Sequence, residues 1–202
     1  RDGRAGVIKL LTMTPYATDR NLGRAYNEAM DLLPEGAWGC FVDHDAMFTT
    51  RAWYGQILEA IAFKPDAGAF TGVTNRIAAP WQQVGEPNNH SIVWHRAYGA
   101  DRVKVRTLLE ITYTRGFGGV CMVVNKEAWR EVGGFADGLL CVDHSLHFRL
   151  QAAGRSVWLI EGLYLYHWRR ANGDELPKDT PRAANCPCRG PERPPRHREV
   201  LP

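Results

Sequence analysis

The sequence predicts an α/β fold in which helices cover a mostly parallel central sheet. Short apolar runs of strand length alternate with stretches whose apolar residues recur at helical spacing. Polar residues follow several of the predicted strands, at the sheet edge where folds of this kind bind ligands. The chain has 202 residues, of which 45% are hydrophobic, and this is enough for one ordinary hydrophobic core.

The first predicted elements are a strand, a helix and a second strand. Residues 7–14, VIKLLTMT, are predicted to form a buried strand. Asn21 is predicted to cap the helix, and Pro34 and Gly36 to end it. The second strand is predicted at 38–42. The apolar stripe of the helix consists of Leu22, Tyr26, Ala29, Met30 and Leu33.

The pattern continues with a helix near 51–62 and a strand at 68–74. Residues 75–117 are rich in proline, asparagine and tryptophan, and we expect long irregular loops of the kind that bind substrates. The later predicted elements are a strand at 120–124, a short helix at 126–132, a helix at 142–153, and strands at 156–160 and 163–167.

The last thirty residues differ in composition from the rest of the chain. They hold seven of the twelve prolines and almost no large apolar residues, so they cannot bury enough surface to fold alone. We therefore expect one domain over 1–170 and an extended tail over 171–202, either loose or draped over the core.

Charge and cysteine content restrict the function and the compartment. The net charge of +3 is compatible with an anionic substrate but too small to indicate a nucleic-acid-binding protein by itself. No apolar run approaches the ~20 residues of a membrane span, so none is expected. Cys40, Cys121 and Cys141 lie in apolar surroundings, and we expect them to be reduced and buried, as in a cytoplasmic protein. The oligomeric state stays open.

Asp43-His44-Asp45 is the most distinctive local feature. Side chains two positions apart in an extended segment point the same way, so two carboxylates would leave a buried strand together. Their repulsion calls for a cation, most simply a divalent metal with a phosphate ligand. The alternative is a polar turn in which one aspartate caps the next helix. Polar residues also end other predicted strands, namely Asn75 and Asn125.

Two further positions could carry chemistry. Asp143 opens a predicted helix, where an aspartate is also a common cap or dipole complement. His167 ends the last predicted strand, where a structural role is the alternative. A zinc site is disfavoured, because neither Cys141, His144 and His147 nor Cys186-x-Cys188 has the usual ligand spacing.

In their order and spacing these features resemble glycosyltransferase family 2, whose members have the nucleotide-sugar-binding GT-A fold. The resemblance covers roughly residues 7–168. Its matching segments are residues 21–29 (N-x-G-x-x-x-N-x-A), Asp43-His44-Asp45 (the D-x-D motif), Gly119 to Phe135 (the acceptor-side segment), Asp143 to Gly154 (E-D-x-D-L-x-x-R-L-x-x-x-G) and His167, which closes the last core strand.

The resemblance implies a metal-dependent glycosyltransferase that moves a sugar from a nucleotide-diphosphate sugar to an acceptor hydroxyl, with inversion. Asp143 is the expected catalytic base, and Asp45 and His167 are expected to hold Mn²⁺ or Mg²⁺. The catalytic domain would then span 1–170. The residues expected to bind the donor are Thr14, Pro15, Tyr16, Asn21, Arg24, Asp43 and Gly119.

The acceptor could be a glycan, a protein, a lipid-linked sugar or hydroxymethylated DNA. Trp81 or Trp94 could stack on a sugar or a base, although core packing is the ordinary role of a tryptophan. Arg76 belongs to a basic region that could guide an anionic acceptor or simply be solvated. The other basic residues of this region are Arg96, Arg102, Lys104, Arg106 and Arg115.

The chain departs from the family pattern at two positions. Val142 replaces the usual acidic residue before Asp143, and Ser145 replaces a second aspartate, so Asp143 acts alone or the site is altered. The alternatives are therefore a catalytically inactive nucleotide-sugar-binding module and a sugar nucleotidyltransferase. The second usually needs a glycine-rich phosphate loop, and residues 13–16 (MTPY) contain no glycine.

Overall fold

A computed structural model describes residues 7–112, 116–168 and 197–202, and within them eight strands form one sheet that carries five α-helices. The strands are β1 (Lys9–Met13), β2 (Ala37–Val42), β3 (Ala46–Phe48), β4 (Ala69–Thr74), β5 (Thr107–Glu110), β6 (Cys121–Asn125), β7 (Val157–His167) and β8 (His197–Val200). The helices are α1 (Leu22–Asp31), α2 (Trp53–Phe63), α3 (Ile92–Arg102), α4 (Lys126–Glu131) and α5 (Val142–Ala152), with a 3₁₀ turn at Pro80–Gln82.

The α/β class is confirmed, and the sheet is mixed. The strand order is β1-β2-β6-β4-β7-β5-β8, with β3 paired to β7 beside this path. β1 and β2 pair in parallel, as do β4 and β7, whereas β6 lies between β2 and β4 and runs antiparallel to both. The carboxyl ends of β2, β4 and β7 therefore meet at one edge. The opposite edge holds Asn125, whose side chain caps α4.

Helices cover both faces of the sheet, as predicted. On one face, residues of α1, α4 and α5 form a core around Met30, Trp129 and Leu146. On the other face, Ile57 and Ile61 of α2 pack against the sheet. Among the described residues, no helix has both the length and the apolar character needed to cross a membrane.

The prediction of a buried first strand is wrong in part. β1 forms where expected, but it lies at the edge of the described sheet, and of its side chains Leu10 alone is buried. An apolar run predicts a strand equally well at an edge or in the centre, because position in the sheet depends on which other strands pair with it.

The prediction of irregular loops over 75–117 is wrong for α3 and β5. Ser91 caps α3 by accepting a hydrogen bond from the Trp94 amide at 3.3 Å. The buried face of α3 is aromatic and polar, with Tyr98 packed edge-on against Tyr164 of β7 at 4.9 Å. Because the aliphatic residues of this segment do not recur at helical spacing, the sequence pattern does not predict the helix. β5 has four residues and pairs with β7 and β8.

One further strand prediction needs correction, and the structure adds one strand to the predicted extended tail. Residues 156–160 and 163–167 belong to the single strand β7, whose register against β4 shifts between Gly72 and Val73. The tail ends in β8, which pairs with β5, so at least its last strand belongs to the sheet. Residues 169–196, including Cys186 and Cys188, and Arg115 lie outside the described residues.

Two cysteines behave as predicted and a third does not. Cys40 and Cys121 are buried free thiols in neighbouring strands, and the hydrogen bond between them, together with burial, raises the pKa of Cys121. Cys141 is only partly buried, because it precedes α5 at the wall of a pocket.

Helix α1 and the loop before α5 are interlocked. Asn21 Oδ1 accepts a hydrogen bond from the Gly138 amide at 3.0 Å, and Asn27 Oδ1 accepts one from the Phe135 amide at 2.7 Å. Between them, Gly23 lies so close to the loop that a Cβ atom there would be 1.9 Å from the Ala136 carbonyl oxygen. This contact sets the position of the chain that leads into α5.

Replacing Gly23 with alanine should therefore destabilise the fold. The added methyl group meets backbone, which cannot rotate away, and overpacking of this kind costs about 1–3 kcal/mol. We expect a loss at the upper end of this range, or a fall in Tm of roughly 6–12 °C in thermal unfolding. Gly55→Ala in α2 is the matched control, because its Cβ has no neighbour within 4 Å. An equal Tm for both variants would contradict a close contact between Gly23 and the loop before α5.

Candidate functional site

Asp43, Asp45 and His167 come together at the carboxyl end of β2 and β7. A turn follows β2, in which the Ala46 amide donates to the Asp43 carbonyl at 3.0 Å, and it directs both aspartates to the same side. Ala46 then pairs with His167 in the β3–β7 ladder. As a result, His167 Nε2 lies 3.2 Å from Asp45 Oδ1 and 3.8 Å from Asp43 Oδ2.

The orientation of His167 is set by two hydrogen bonds. Its Nδ1 lies 2.7 Å from the Arg76 carbonyl oxygen, and because a carbonyl can only accept, Nδ1 carries the proton. Its amide donates to Asn75 Oδ1 at 2.8 Å. In the neutral ring, the Nε2 lone pair therefore faces two carboxylates, and a cation between them would remove that repulsion. Metal-ligating histidines are commonly held in this way by a backbone carbonyl.

The charges of this cluster also favour a cation. Burial, opposed by the charge of His167 and reinforced by the carboxylates of Asp45 and Asp143, raises the pKa of Asp43 to about 6. When His167 Nε2 is also protonated it donates to Asp45, and this hydrogen bond lowers the pKa of Asp45. Two carboxylate oxygens and one imidazole nitrogen, all within 4.8 Å of one another, are a donor set that suits Mn²⁺ or Mg²⁺.

In the described part of the chain, these three residues are the one group whose ligand atoms lie close enough to share a metal ion. Cys141, His144 and His147 do not form such a group. His147 is fully buried, edge-on to Phe117 at a ring distance of 5.8 Å. Burial lowers its pKa to about 3, so it is a neutral core residue.

A pocket of about 440 Å³ opens next to the cluster. Asp43, Asp45 and His167 line it on one side, and Pro15 and Tyr16 line it on another. The structure thus brings the predicted metal ligands, Asp45 and His167, together with three of the residues predicted to bind the donor, namely Pro15, Tyr16 and Asp43. Tyr16 is 80% exposed, so its ring is free to contact a ligand in this pocket.

A smaller pocket of about 160 Å³ adjoins the first and shares Asp43 with it. Asp143 lies in its wall, on the first turn of α5, where its Oδ1 accepts the His144 amide at 2.8 Å. Gly119 lies against Asp143, and a Cβ atom there would be 3.2 Å from Asp143 Oδ2. The predicted base and the predicted metal ligands therefore line adjoining cavities that share part of their walls.

Other predicted donor-binding residues lie outside these two pockets. Asn21 caps α1 and joins it to the loop before α5. Arg24 is exposed and forms an ion pair with Asp19 at 2.7 Å. Thr14 is exposed at the end of β1 and lines neither pocket.

The predicted acceptor-binding residues also lie outside the two pockets. Trp81 packs against the hydrophobic core. Trp94 stacks on Tyr98 at a ring distance of 4.9 Å. The Arg76 guanidinium donates to the Trp168 carbonyl at 2.7 Å, and its own carbonyl orients His167. Arg76 thus supports the site through its backbone.

Several residues that line the pockets are not predicted as site residues from the sequence. Leu22 and Tyr26 are predicted to belong to the apolar stripe of α1, and the structure shows that both also line the two pockets. Leu139 and Leu140 also line both, and they lie in a loop without a recognisable motif. A tyrosine in an otherwise aliphatic stripe is the signal that could have identified Tyr26.

No protein-family model matches the chain, and a comparison with curated proteins gave no significant match. The interpretation of the site therefore depends on its geometry and chemistry.

Proposed function

We propose that this chain is a metal-dependent glycosyltransferase with a GT-A-type fold, which transfers a sugar from a nucleotide-diphosphate sugar to an acceptor hydroxyl. The observation that carries the proposal is the pair of adjoining pockets, which share part of their walls. One presents Asp43, Asp45 and His167, and the other presents Asp143. A cation site and a separate carboxylate base, facing a common space, are what transfer to a hydroxyl needs.

Each side chain has a chemical task in this proposal. A divalent cation bound by Asp45 and His167, with Asp43 beside it, would supply Lewis-acid stabilisation to the departing diphosphate. Asp143 accepts the proton of the acceptor hydroxyl while that oxygen forms a bond to the anomeric carbon. The bond from the anomeric carbon to the diphosphate oxygen breaks, and the electron pair leaves with the nucleotide. A single displacement of this kind inverts the anomeric centre.

The structure bears on the absence of a second acid before Asp143. Val142 is 2% exposed and belongs to the core on the α5 face of the sheet. An ionised side chain at this position would be buried, and burying a carboxylate without a partner is costly. Asp143 can therefore serve as the base alone, because the buried position 142 does not suit a second acidic residue.

Thermal unfolding with a panel of UDP, GDP, dTDP and CDP sugars tests the proposal. A donor at about 100 times its Kd stabilises the native chain by about 2.7 kcal/mol, or roughly 5–11 °C in Tm for a chain of this size. We expect such a rise with at least one nucleotide, in Mn²⁺ and not in EDTA. No rise with any donor in Mn²⁺ would overturn the proposal.

The specificity of the shift is checked with Asp45→Ala, which should abolish it. A transfer assay with the donor so identified then takes glycans, proteins, lipid-linked sugars and hydroxymethylated DNA as acceptors. Donor binding without transfer to any of them would favour a nucleotide-sugar-binding module without catalytic activity.

A further inference from the structure

Tyr26 is a buried tyrosine whose hydroxyl group has no hydrogen-bond partner in the part of the chain that the structure describes. Its side chain is 4% exposed, and its ring packs against Phe41 and Phe135 at ring distances of 4.9 Å each. Among the residues that the structure describes, none forms a hydrogen bond with the hydroxyl. The hydroxyl is not among the fully enclosed polar atoms without a partner, and Tyr26 lines two pockets, so the hydroxyl is available to a ligand there.

The position of Tyr26 identifies where that ligand binds. Tyr26 lines both the larger pocket, with the metal-binding cluster, and the smaller pocket, with Asp143. Burial raises its pKa, and the charges of Asp43 and Asp143 raise it further, so the phenol stays protonated and can donate. It is therefore a hydrogen-bond donor at the junction of the two pockets.

The smaller pocket has the size and lining of a site for one ring. Its volume of about 160 Å³ is close to that of a cavity of about 150 Å³ that holds benzene, so it has room for one six-membered ring, and the substituents of a pyranose would extend toward the adjoining larger pocket. One part of its wall is apolar and suits the C–H face of a sugar ring. The aliphatic residues of this wall are Leu22, Met122, Leu139, Leu140 and Val142.

The charge of the smaller pocket restricts its ligand. Asp43 and Asp143 both line it, and none of the described residues around it carries a positive charge. A carboxylated or phosphorylated ring would be repelled by the two aspartates. The pocket therefore favours an uncharged ring that bears hydroxyl groups.

We propose that the Tyr26 hydroxyl binds the acceptor, donating a hydrogen bond to a hydroxyl oxygen of an uncharged, pyranose-sized ring in the smaller pocket. This inference rests on the proposed function, since it treats that pocket as the acceptor site. The ring hydroxyl accepts from Tyr26 on one side and donates to Asp143 on the other. Tyr26 thus orients the attacking oxygen and contributes to acceptor specificity.

The test measures the Kd of neutral methyl glycopyranosides (gluco, galacto, manno and N-acetylglucosamine forms) by NMR titration of the full chain. We expect at least one to bind the wild type, and Tyr26→Phe to weaken it by about 3–10-fold through loss of one hydrogen bond. The phenylalanine retains the packing against Phe41 and Phe135, so the Tm should be unchanged. Tyr98→Phe is the matched control, because Tyr98 is also packed among aromatic rings but lines neither pocket.

Glucuronic acid tests the charge argument. It should bind more weakly than the neutral glycosides, and Asp143→Asn should reduce that difference. The inference is overturned if no neutral glycoside binds, if Tyr26→Phe binds them as tightly as the wild type, or if Tyr98→Phe weakens them equally.

Failure of this inference can be told apart from failure of the proposed function. A donor-induced rise in Tm that requires Asp45, together with unchanged glycoside affinity in Tyr26→Phe, would leave the transferase proposal standing and remove the role of Tyr26. Glycoside binding that depends on Tyr26, without a rise in Tm for any donor, would support the sugar site in the smaller pocket and overturn the transferase proposal.

Discussion

Asp143→Asn should lower the rate of sugar transfer by about 10²–10⁴-fold while leaving donor binding intact, because a general base contributes about this much. Asparagine has the same shape, and its Oδ1 can still accept the His144 amide, which lies 2.8 Å from that oxygen in the wild type. It cannot take up a proton from the acceptor hydroxyl. The loss should therefore appear in kcat, measured with the donor and acceptor found by the assays above, and the donor-induced rise in Tm should persist.

The matched control is Asp137→Asn. Asp137 lies in the loop before α5 and accepts a hydrogen bond from Asn21 Nδ2 at 3.1 Å, outside both pockets. This variant removes one negative charge near α5 and should keep kcat within about twofold of the wild type. If Asp143→Asn also keeps its rate, Asp143 is not the base.

Asp45→Asn and His167→Gln should each weaken Mn²⁺ binding by more than about 100-fold. Even the loss of a group that supports a metal ligand costs about 10–100-fold in affinity, and these residues are predicted ligands themselves. Isothermal titration with Mn²⁺ measures the effect directly. His44→Gln is the control, because His44 lies between the two aspartates and lines the larger pocket but is not part of the cluster. Equal Mn²⁺ affinity in the wild type and both ligand variants would exclude this site.

The same site should respond to pH. Because the folded pKa of Asp43 is about 6 and its ordinary value is 3.8, the folded chain holds a proton there that the unfolded chain has released between these values. The metal-free protein therefore loses stability as the pH rises from about 4 to 6. Mn²⁺ competes with that proton, so it should bind more tightly and raise the Tm more at pH 7.5 than at pH 5. A larger Mn²⁺-induced rise in Tm at pH 5 than at pH 7.5 would contradict competition between Mn²⁺ and the Asp43 proton.

The motif at residues 21–27 shows how a sequence can predict a local contact without the distant one. Asn21 is predicted both to cap α1 and to bind the donor, and the structure confirms the cap, because its Oδ1 accepts the Arg24 amide at 3.0 Å; the same oxygen also accepts the Gly138 amide at 3.0 Å. Gly23 and Asn27 are four residues apart on one face of α1 and also contact the loop before α5. Sequence alone could not reveal this, because the loop lies more than a hundred residues away.

Prediction of the acidic pair was more direct. Asp43 and Asp45 follow a buried strand, as predicted, but a turn and not an extended segment brings both carboxylates to the same side. His167 could be proposed as their partner only through the family resemblance. Its contact with Asp45 at 3.2 Å depends on the pairing of β3 with β7, a contact between segments far apart in the chain.

The sequence by itself determined the α/β class, most of the strands and helices, and the acidic strand end, because each of these depends on neighbours a few residues away. The tertiary structure alone decided that β1 is an edge strand, that β6 runs antiparallel within the sheet, and that Tyr26 lies between two pockets. These features arise from strand pairing and helix packing between distant segments. Such contacts leave no periodicity in the sequence, which is why only the folded chain shows the complete site.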